Sequence, residues 1–453
     1  MIAEQLDDLW LDKMPSDWQR SRIRNVAVLS PSYSQTRPAS DELCTVVPME
    51  LLSDDGAIDV SNQQPLEDIS TGLPLLEKGD VLFAKITPCM ENGKGAFVRQ
   101  LPTRYAFGST EFHVLRAGNK ADGQFLYYAT FNPVYRAYAA QNMVGAAGQK
   151  RVSSRFLKDT RMFLPSLPEQ QRIAAYLDAS CAAIDEAVAA KRRQLDTLDA
   201  VRESIIETAV TRGLSANPKR RVVDHDWIGS LPEHWAAVRI KRVISRLDYG
   251  ISVSSEPEGK YPVLKMGNIQ AGEIVFSKME FVDAVADELL LENNDLLYNR
   301  TNSPDQVGKA ALFLGCKDDA VTFASYLVRL RVNHRIIPEF LNYAVNCGGF
   351  LAFARRLAIP SVQQSNLNST RYGRMHIPLP SVTEQRAICE HLNTKVGEMK
   401  RVVTTIEAQI ATLTAYRKSL IHECVTGQRR ITEADLRRAG DAPFASSPSA
   451  NQS

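Results

Sequence analysis

A chain of 453 residues has room for two or more domains. Its 23% charged and 44% hydrophobic residues are typical of a soluble globular protein, and a formal net charge of only +2 excludes nucleic-acid binding through bulk charge alone. No run of eighteen apolar residues is present, so no membrane-spanning helix is expected, and seven cysteines without a C-x-x-C pair predict reduced thiols, a cytoplasmic protein and no zinc site.

The first predicted element is an opening motif that occurs twice. The segment WLDKMPSDWQRSRIRNVA (10–27) aligns with WIGSLPEHWAAVRIKRVI (227–244) at an offset of 217 (227 − 10). All four tryptophans of the chain lie in these two segments. Because tryptophan buries a large apolar area, the motif is interpreted as packing at the start of each domain. The N-terminus, MIAEQLDDLW, is acidic and is not expected to be a signal peptide.

The next repeated block predicts a strand, a loop and a second strand. Residues 77–98 align with residues 292–314 at an offset of 215 (292 − 77). A cation ends the first strand and another opens the second, and these are Lys85 with Lys94 in one copy and Arg300 with Lys309 in the other. Cations at strand–loop junctions suit contacts with DNA phosphates or base edges. They are equally usual as solvated loop charges, so both interpretations stay open here.

The last part of each predicted domain is helical and then polar. Residues 124–140 and 339–355 align at the same offset and predict two helices separated by a break. Polar loop residues follow, among them Gln149, Lys150, Arg151 and Gln364. Glutamine can bond adenine and arginine can bond guanine in DNA grooves, so these loops are candidates for base recognition. The alternative is a loop glutamine that caps a turn.

Each copy ends in a stretch that predicts a long helix. Residues 164–213 and 379–428 align without a gap (379 − 164 = 215), and their apolar residues recur in steps of three, four and seven. Helices are expected over 166–213 and 381–428, each about 60 Å long if some forty residues are helical. So narrow an apolar stripe needs a partner helix. The favoured interpretation is that the two helices pack antiparallel on each other; the alternative is that each packs on its own domain.

The repeat predicts an α+β fold with two similar mixed α/β domains, over 1–165 and 227–380. A pseudo-two-fold axis is expected to relate them, and the two long helices are expected to join them as an antiparallel coiled coil. Residues 214–226 are expected to form a polar linker. The tail, residues 429–453, ends in APFASSPSANQS and is expected to be disordered.

The sequence gives no positive case for catalysis. The segment NPVY (132–135) departs at its third residue from the Asn-Pro-Pro-Tyr tetrad of amino-methyltransferases, and the second copy has CGGF there, so a helix break is preferred. Residues 145–150 have the wrong spacing for a phosphate-binding loop, and the seven histidines form no metal-ligand motif.

Four repeated motifs resemble the specificity subunit of type I restriction–modification systems. They are PEHW (232–235) with the weaker PSDW (15–18), GDVL (79–82) with NDLL (294–297), GKGA (93–96) with GKAA (308–311), and LPSLPEQ (164–170) with LPSVTEQ (379–385). The resemblance covers the chain apart from its tail. It implies a non-catalytic subunit in which each domain is a target-recognition domain for one half of a bipartite site in double-stranded DNA.

The same resemblance implies the partners and cofactors. The long helices would set the spacer between the half-sites and bind two modification (methyltransferase) subunits, and restriction (translocase and nuclease) subunits would complete the complex. No cofactor is expected on this chain, whereas S-adenosylmethionine, ATP and magnesium are expected on the partner subunits, and no membrane is involved. The expected DNA-binding residues are Lys85, Lys94, Gln149, Lys150, Arg151, Arg300, Lys309 and Gln364. The residues alone also allow a tandem coiled-coil protein–protein scaffold without DNA recognition.

Overall fold

The computed structural model describes residues 15–31, 39–146, 148–225, 227–315 and 320–440. The chain divides into a first unit, Met1–Arg192 with Glu407–Ser453, and a second unit, Arg193–Ile406. Both units mix helices with sheets, as the α+β prediction requires. In the described part of the chain, no helix combines the length and the apolar character needed to cross a bilayer.

The first unit is built on two four-stranded sheets and a two-stranded one. Its helices are α1 (Ile23–Val26), α2 (Gly123–Phe131), α3 (Pro133–Gln141), α4 (Ser154–Asp159) and the first part of α5 (Leu167–Arg212). Its strands are β1 (Gln19–Arg22), β2 (Ala27–Leu29), β3 (Leu43–Val47), β4 (Gln63–Pro65), β5 (Leu75–Leu76), β6 (Asp80–Ala84), β7 (Gly95–Phe97), β8 (Ala106–Gly108), β9 (Phe112–Ala117) and β10 (Arg161–Leu164). The strand orders are β2-β9-β6-β7, β4-β3-β8-β5 and β1-β10.

The second unit repeats these elements with a larger main sheet. Its strands are β11 (Arg220–Val222), β12 (Ser230–Pro232), β13 (Ala236–Arg239), β14 (Ile244–Tyr249), β15 (Tyr261–Leu264), β16 (Ile269–Gln270), β17 (Gly272–Ile274), β18 (Glu280–Val282), β19 (Leu296–Asn299), β20 (Thr301–Asn302), β21 (Ala310–Leu312), β22 (Thr322–Phe323), β23 (Leu327–Val332), β24 (Ile359–Ser361), β25 (Gln364–Asn366) and β26 (His376–Leu379). Its helices are α6 (Pro338–Asn346), α7 (Gly348–Leu357), α8 (Ser369–Arg374) and the first part of α9 (Val382–Val425). The main sheet has the order β14-β23-β19-β21-β17-β16.

The central strand of each main sheet is held by the same ion pair. In the first unit, the Asp80 carboxylate accepts from Arg116 Nε at 2.8 Å and from the Glu77 backbone N–H at 2.7 Å. In the second unit, Asp295 accepts from Arg331 Nε at 2.7 Å and from the Glu292 N–H at 2.9 Å. All three residues differ by 215 between the copies. The offset read from the sequence therefore reports a repeated tertiary structure.

The two long helices pack antiparallel within each unit. In the first unit, Lys191 Nζ donates to Gln409 Oε1 at 2.6 Å, and Arg417 Nε lies 3.0 Å from Asp185 Oδ1, so the residue numbers rise along one helix as they fall along the other. In the second unit, the end of α5 shares a core with the start of α9, since Ala209 clusters with Leu392. Both cores also include residues of the domain, so each helix packs on its partner helix and on the domain.

A buried glutamine attaches each domain to its long helix. In the first unit, Gln170 Oε1 accepts from the Asp122 N–H at 2.8 Å, and its Nε2 donates to the carbonyls of Pro165 at 2.9 Å and Lys120 at 3.1 Å. Gln385 makes the same three bonds in the second unit, to Ile337, Pro380 and Arg335. Both side chains are fully buried. These residues are the repeated glutamines of the LPSLPEQ and LPSVTEQ motifs.

Replacing Gln170 with alanine is expected to lower the free energy of unfolding of the first unit by about 2–4 kcal/mol, because one N–H and two carbonyls lose their buried partner. The measurement is equilibrium urea unfolding of the full chain. Gln171→Ala is the matched control, since Gln171 lies exposed on the same helix within the first unit. The control should change stability by less than about 0.5 kcal/mol. Equal effects of the two substitutions would show that the attachment contributes nothing.

The glycine after each long helix fits against the tryptophan of an opening motif. Gly213 follows α5 with φ +73°, and a Cβ there would lie 3.0 Å from the Trp235 ring. Gly427 follows α9 with φ +75°, and a Cβ there would lie 2.5 Å from Pro15 and 3.2 Å from the Trp18 ring. Any other residue would be strained at this left-handed backbone and would clash with the ring. The packing role predicted for the tryptophans is confirmed for Trp18 and Trp235, which are buried; Trp10 lies outside the described residues.

The carboxylate at the start of α9 connects that helix to the opening motif. Glu384 accepts from His234 Nε2 at 2.7 Å, from Trp235 Nε1 at 3.2 Å and from the Ser381 hydroxyl at 2.9 Å. Partial burial raises the pKa of Glu384, but these hydrogen bonds outweigh it and lower that pKa to about 2. The charged form is therefore the one that the folded protein stabilises.

Because the pKa of Glu384 is lowered by folding, its contribution to stability is present above its usual value of 4.5 and is lost as the pH falls towards about 2. We expect Glu384→Gln to destabilise the second unit at pH 6 and to have progressively less effect between pH 4.5 and pH 2. Urea midpoints of the two proteins, measured across this range, test the prediction. A difference in midpoint that does not shrink on acidification would contradict it.

The predicted disorder of residues 429–453 is wrong for residues 429–440. Ile431 is buried in the first core, and α10 (Glu433–Gly440) packs Leu436 and Ala439 against it. Arg430 bridges Asp17 at 2.8 Å and Glu169 at 3.1 Å. The Pro- and Ser-rich end of the tail suggested disorder for the whole segment, but its first part is an amphipathic helix. Residues 441–453 lie outside the described ranges.

The segment expected to be a polar linker, 214–226, contains a strand. Strand β11 pairs antiparallel with β12, and Arg220 and Arg221 donate to the carbonyls of Ser230 and Trp235 at 2.9 and 2.8 Å. The basic run therefore fixes the chain against the opening motif of the second unit. Asp226 is outside the described residues.

Candidate nucleic-acid interface

In each unit a β-hairpin lies beside the strand that carries a predicted DNA-binding cation. The first hairpin is residues 144–151, of which 147 is not described, and the second hairpin is residues 359–366. The first is closed by the bridge between Val144 and Arg151, and the second by the pairing of Ile359 with Asn366. Both pairs have the same register, because 359 and 366 exceed 144 and 151 by 215. The sequence predicted only a polar loop at these positions.

The cation-bearing strand is bonded to the hairpin in the same way in both units. Ile86 pairs with Arg151 in the first unit, and Thr301 pairs with Asn366 in the second. The carbonyl of Lys85 accepts from the N–H of residue 152 at 2.9 Å, and the carbonyl of Arg300 accepts from the N–H of residue 367 at 2.8 Å. The structure therefore brings Lys85 together with Gln149, Lys150 and Arg151, and it brings Arg300 together with Gln364.

The predicted base-contacting residues differ in how freely they can bind. Gln149, Lys150 and Gln364 are exposed on the hairpins. Arg151 is half-buried and is paired with Glu111, with its Nε 3.0 Å and its Nη2 2.9 Å from the carboxylate oxygens. That hydrogen-bonded pair lowers the pKa of Glu111. A nucleic acid would have to compete with Glu111 for Arg151, whereas Lys150 has no such constraint to overcome.

Of the other four predicted cations, Lys85 is half-buried, and the remaining three are engaged with other residues of their own unit. Arg300 lies over the Tyr249 ring with its guanidinium carbon 5.1 Å from the ring centroid. Lys94 Nζ donates to the Met49 carbonyl at 3.3 Å, and Lys309 Nζ donates to Gln306 Oε1 at 2.9 Å. Lys94 and Lys309 thus hold the loop that follows the central strand, and their assignment to DNA contacts stays a prediction.

Both hairpins lie in segments that contain no acidic residue. Although Asp and Glu make up 52 of the 453 residues, none occurs in 123–158 or in 340–383. Exposed cations lie in the same segments: Lys150, Arg155 and Lys158 in the first unit, and Arg355, Arg356, Arg371 and Arg374 in the second. Local positive potential of this kind attracts a polyanion even when the net charge of a protein is near zero. Our sequence reasoning missed this signal, which a scan for gaps between acidic residues would have found.

In the described part of the chain, no group of three or more His, Cys, Asp or Glu side chains is arranged to hold a metal ion. The six described cysteines are free, and five of them are buried. What the two hairpins offer chemically is therefore hydrogen bonding by exposed amides together with cationic attraction. These are the contacts by which proteins recognise bases and phosphates.

Comparison with known proteins shows which proteins the chain resembles. Residues 15–195 match the model of the type I restriction modification DNA specificity domain. The type I restriction enzyme EcoAI specificity subunit of Escherichia coli is 26% identical over 229 residues, which are 50% of this chain and 36% of that protein. The EcoBI specificity subunit of the same species is 24% identical over 340 residues, which are 70% of this chain and 69% of that protein. The matched region thus spans about a third of one relative and about two thirds of the other.

A solved structure shares the fold. A chain from a study of complex assembly and conformational transition of the type I R-M system superimposes with a TM-score of 0.70 at 18% identity, covering 92% of this chain and 100% of that one. The family model ends at 195, and the second unit repeats helices and strands of the first, at an offset of 217 in the opening motif and of 215 in the later blocks. Taken together, the matched domain, the two relatives and the internal repeat make the chain similar to type I restriction–modification specificity subunits.

Proposed function

We propose that the chain gives a type I restriction–modification complex its DNA sequence specificity, with each unit recognising one half of a bipartite site in double-stranded DNA. The observation that supports this most strongly is the recurrence of one arrangement in both units. A hairpin with exposed amides lies beside a cation-bearing strand, at the same register, within an acid-free segment. A protein scaffold without DNA recognition gives no reason for this arrangement.

The proposal assigns no catalytic residue to this chain. The long helices α5 and α9 would set the spacer between the half-sites and bind two modification subunits, and restriction subunits would join that complex in the cytoplasm. S-adenosylmethionine would be bound by the modification subunits, and ATP and magnesium by the restriction subunits. The two hairpins share a register but only one identical residue pair, Gln149 with Gln364. Two different half-sites are therefore expected.

The test is selection from a random pool of duplexes by the chain bound to its modification subunits. We expect enrichment of one bipartite sequence whose two halves are separated by a fixed, unspecified spacer. Enrichment should fall steeply with salt, because phosphate contacts release counterions. Selection of no sequence would overturn the proposal and would favour the scaffold. Mapping methylated adenines in DNA from cells that carry the intact system provides a second, independent readout of the same site.

A further inference from the structure

The tip of the second hairpin carries exposed side chains that do not contribute to the core of the unit. Strands β24 and β25 are joined by a two-residue turn, Val362 and Gln363, and Ser361 pairs with Gln364 at its base. Val362 is 90% exposed, more than any other large hydrophobic side chain in the described part of the chain. Gln363 and Gln364 are also exposed. An apolar side chain and two amides thus project together from a narrow ribbon.

The backbone at Gln363 is a second unusual feature of the tip. Gln363 has φ +60°, a left-handed conformation that favours glycine, and the aligned residue of the first hairpin is Gly148 with φ +80°. The backbone at this aligned position is therefore left-handed in both copies, but only the second has a long side chain there. A residue other than glycine is disfavoured there. Backbone strain of this kind clusters at functional sites, where the side chain offsets it.

The surroundings of the tip favour a polyanionic partner. No acidic residue occurs between 340 and 383, and Arg355, Arg356 and Arg371 are exposed on the elements that flank the hairpin. Arg371 is held at the base of the hairpin by its bond to the Leu357 carbonyl at 2.8 Å. An apolar side chain flanked by exposed arginines suits a partner that has both phosphates and apolar groups, and duplex DNA has both.

The shape and chemistry of the tip select a groove and a base pair. A two-stranded ribbon fits the major groove, which is about 12 Å wide, and not the minor groove of about 6 Å. In the major groove a glutamine amide can bond both N7 and the N6 amino group of adenine, and an apolar side chain can pack on the methyl group of thymine. The tip has no Arg for guanine and no Asp or Glu for cytosine.

We propose that the tip of the second hairpin recognises A·T base pairs in the major groove of the second half-site. The Gln363 amide bonds adenine N6 and N7, and the Val362 side chain packs on a thymine methyl group. This inference rests on the proposed function and adds to it the groove, the base identity and two residues outside the predicted site. The left-handed turn holds both side chains at the end of the ribbon, where they meet the floor of the groove before the flanking residues do.

The test uses the complex of the full chain with its modification subunits, and duplexes that carry its selected site. Thymines of the second half-site are replaced one at a time by uracil, which removes only the methyl group, and adenines by 7-deazaadenine, which removes only N7. We expect one thymine at which uracil weakens binding about fourfold. We also expect one adenine at which 7-deazaadenine weakens binding between about fivefold and 150-fold. Substitutions in the first half-site are the control.

Two variants connect these losses to the tip. Val362→Ala should bind the thymine and uracil duplexes equally, and Gln363→Gly should bind the adenine and 7-deazaadenine duplexes equally. Gln363→Gly is a matched variant, because it restores the residue that holds this turn in the first hairpin and should fold at least as well. If a bipartite site is selected but both variants discriminate as the parent does, the inference fails while the proposed function stands. If no site is selected, both fail.

Discussion

Replacing Arg329 with alanine is expected to lower the free energy of unfolding of the second unit by about 3–5 kcal/mol. The Arg329 side chain is completely buried in β23. Its Nη2 donates to Asp248 Oδ2 at 2.6 Å and its Nη1 lies 3.5 Å from Asp295 Oδ2. The same guanidinium also donates to two backbone carbonyls, of Glu288 at 2.6 Å and Leu290 at 2.8 Å.

The large effect follows from what the substitution leaves behind. Burial raises the pKa of Asp248, but the hydrogen bonds from Arg329 and Arg246 outweigh it and lower that pKa overall. Without Arg329, the Asp248 carboxylate keeps only the partly exposed Arg246, and the two carbonyls lose a donor in a desolvated place. Asp295 is less affected because Arg331 still donates to it at 2.7 Å.

Hydrogen exchange resolved by peptide is the suitable measurement, because it reports each unit separately. Protection should fall in β19 and β23 and stay unchanged in β6 and β9, since the first unit has Val114 at the position aligned with Arg329. Arg246→Ala is the control: it removes another arginine bound to Asp248, at 3.0 Å, but one that is 41% exposed. That control should cost less than about 1 kcal/mol. Equal losses for the two variants would contradict a special role for the buried guanidinium.

Much of the fold could be predicted because the chain contains two copies of one structure. Some residues that match at an offset of 215 make the same contacts in both units, as Asp80 and Asp295 do in the main sheets and Gln170 and Gln385 do at the helix starts. An isolated Asp or Gln in one copy would have been uninformative. Its repetition at constant spacing, with its partners at the same spacing, indicated a tertiary contact that local periodicity cannot report.

The parts that the sequence did not predict are those in which the copies differ. Arg329 aligns with Val114 in the first copy. Its carboxylate partner Asp248 lies 81 residues away in the sequence, so no pattern connected Arg329 with Asp248. The hairpins were missed because VGAAGQKR and IPSVQQSN share neither an alternating pattern nor a common turn residue. Their register is set by pairing with the strand residues Ile86 and Thr301, which is a tertiary effect.

Exchange of the first hairpin for the second is expected to change recognition of one half-site only. In this variant, residues 144–151 are replaced by the sequence of 359–366, which has the same length and closes at the same register. If each hairpin contacts one or two base pairs, the affinity for the original first half-site should fall by between about fivefold and about 20,000-fold, at about 1–3 kcal/mol per altered base pair. Binding to the second half-site should not change.

Competition between duplexes that are altered in one half-site at a time measures this effect. The reciprocal exchange, at 359–366, is the control and should affect the second half-site alone. Loss of discrimination at both half-sites in either variant would show that the hairpins do not act independently. Unchanged discrimination in both variants would place base recognition elsewhere in the two units.

The salt dependence of the same variant separates base recognition from phosphate binding. The exchange replaces Lys150 and Arg151 by serine and asparagine, so two cations are removed. If both cations contact phosphates, the slope of log affinity against log salt should become shallower by about 1.8, at about 0.9 per phosphate. Arg151 is paired with Glu111 in the free protein, so a change of about half that size would show that the pair persists on DNA. A shallower slope with unaltered sequence preference would make the hairpin a positioning element, whereas a changed preference makes it a recognition element.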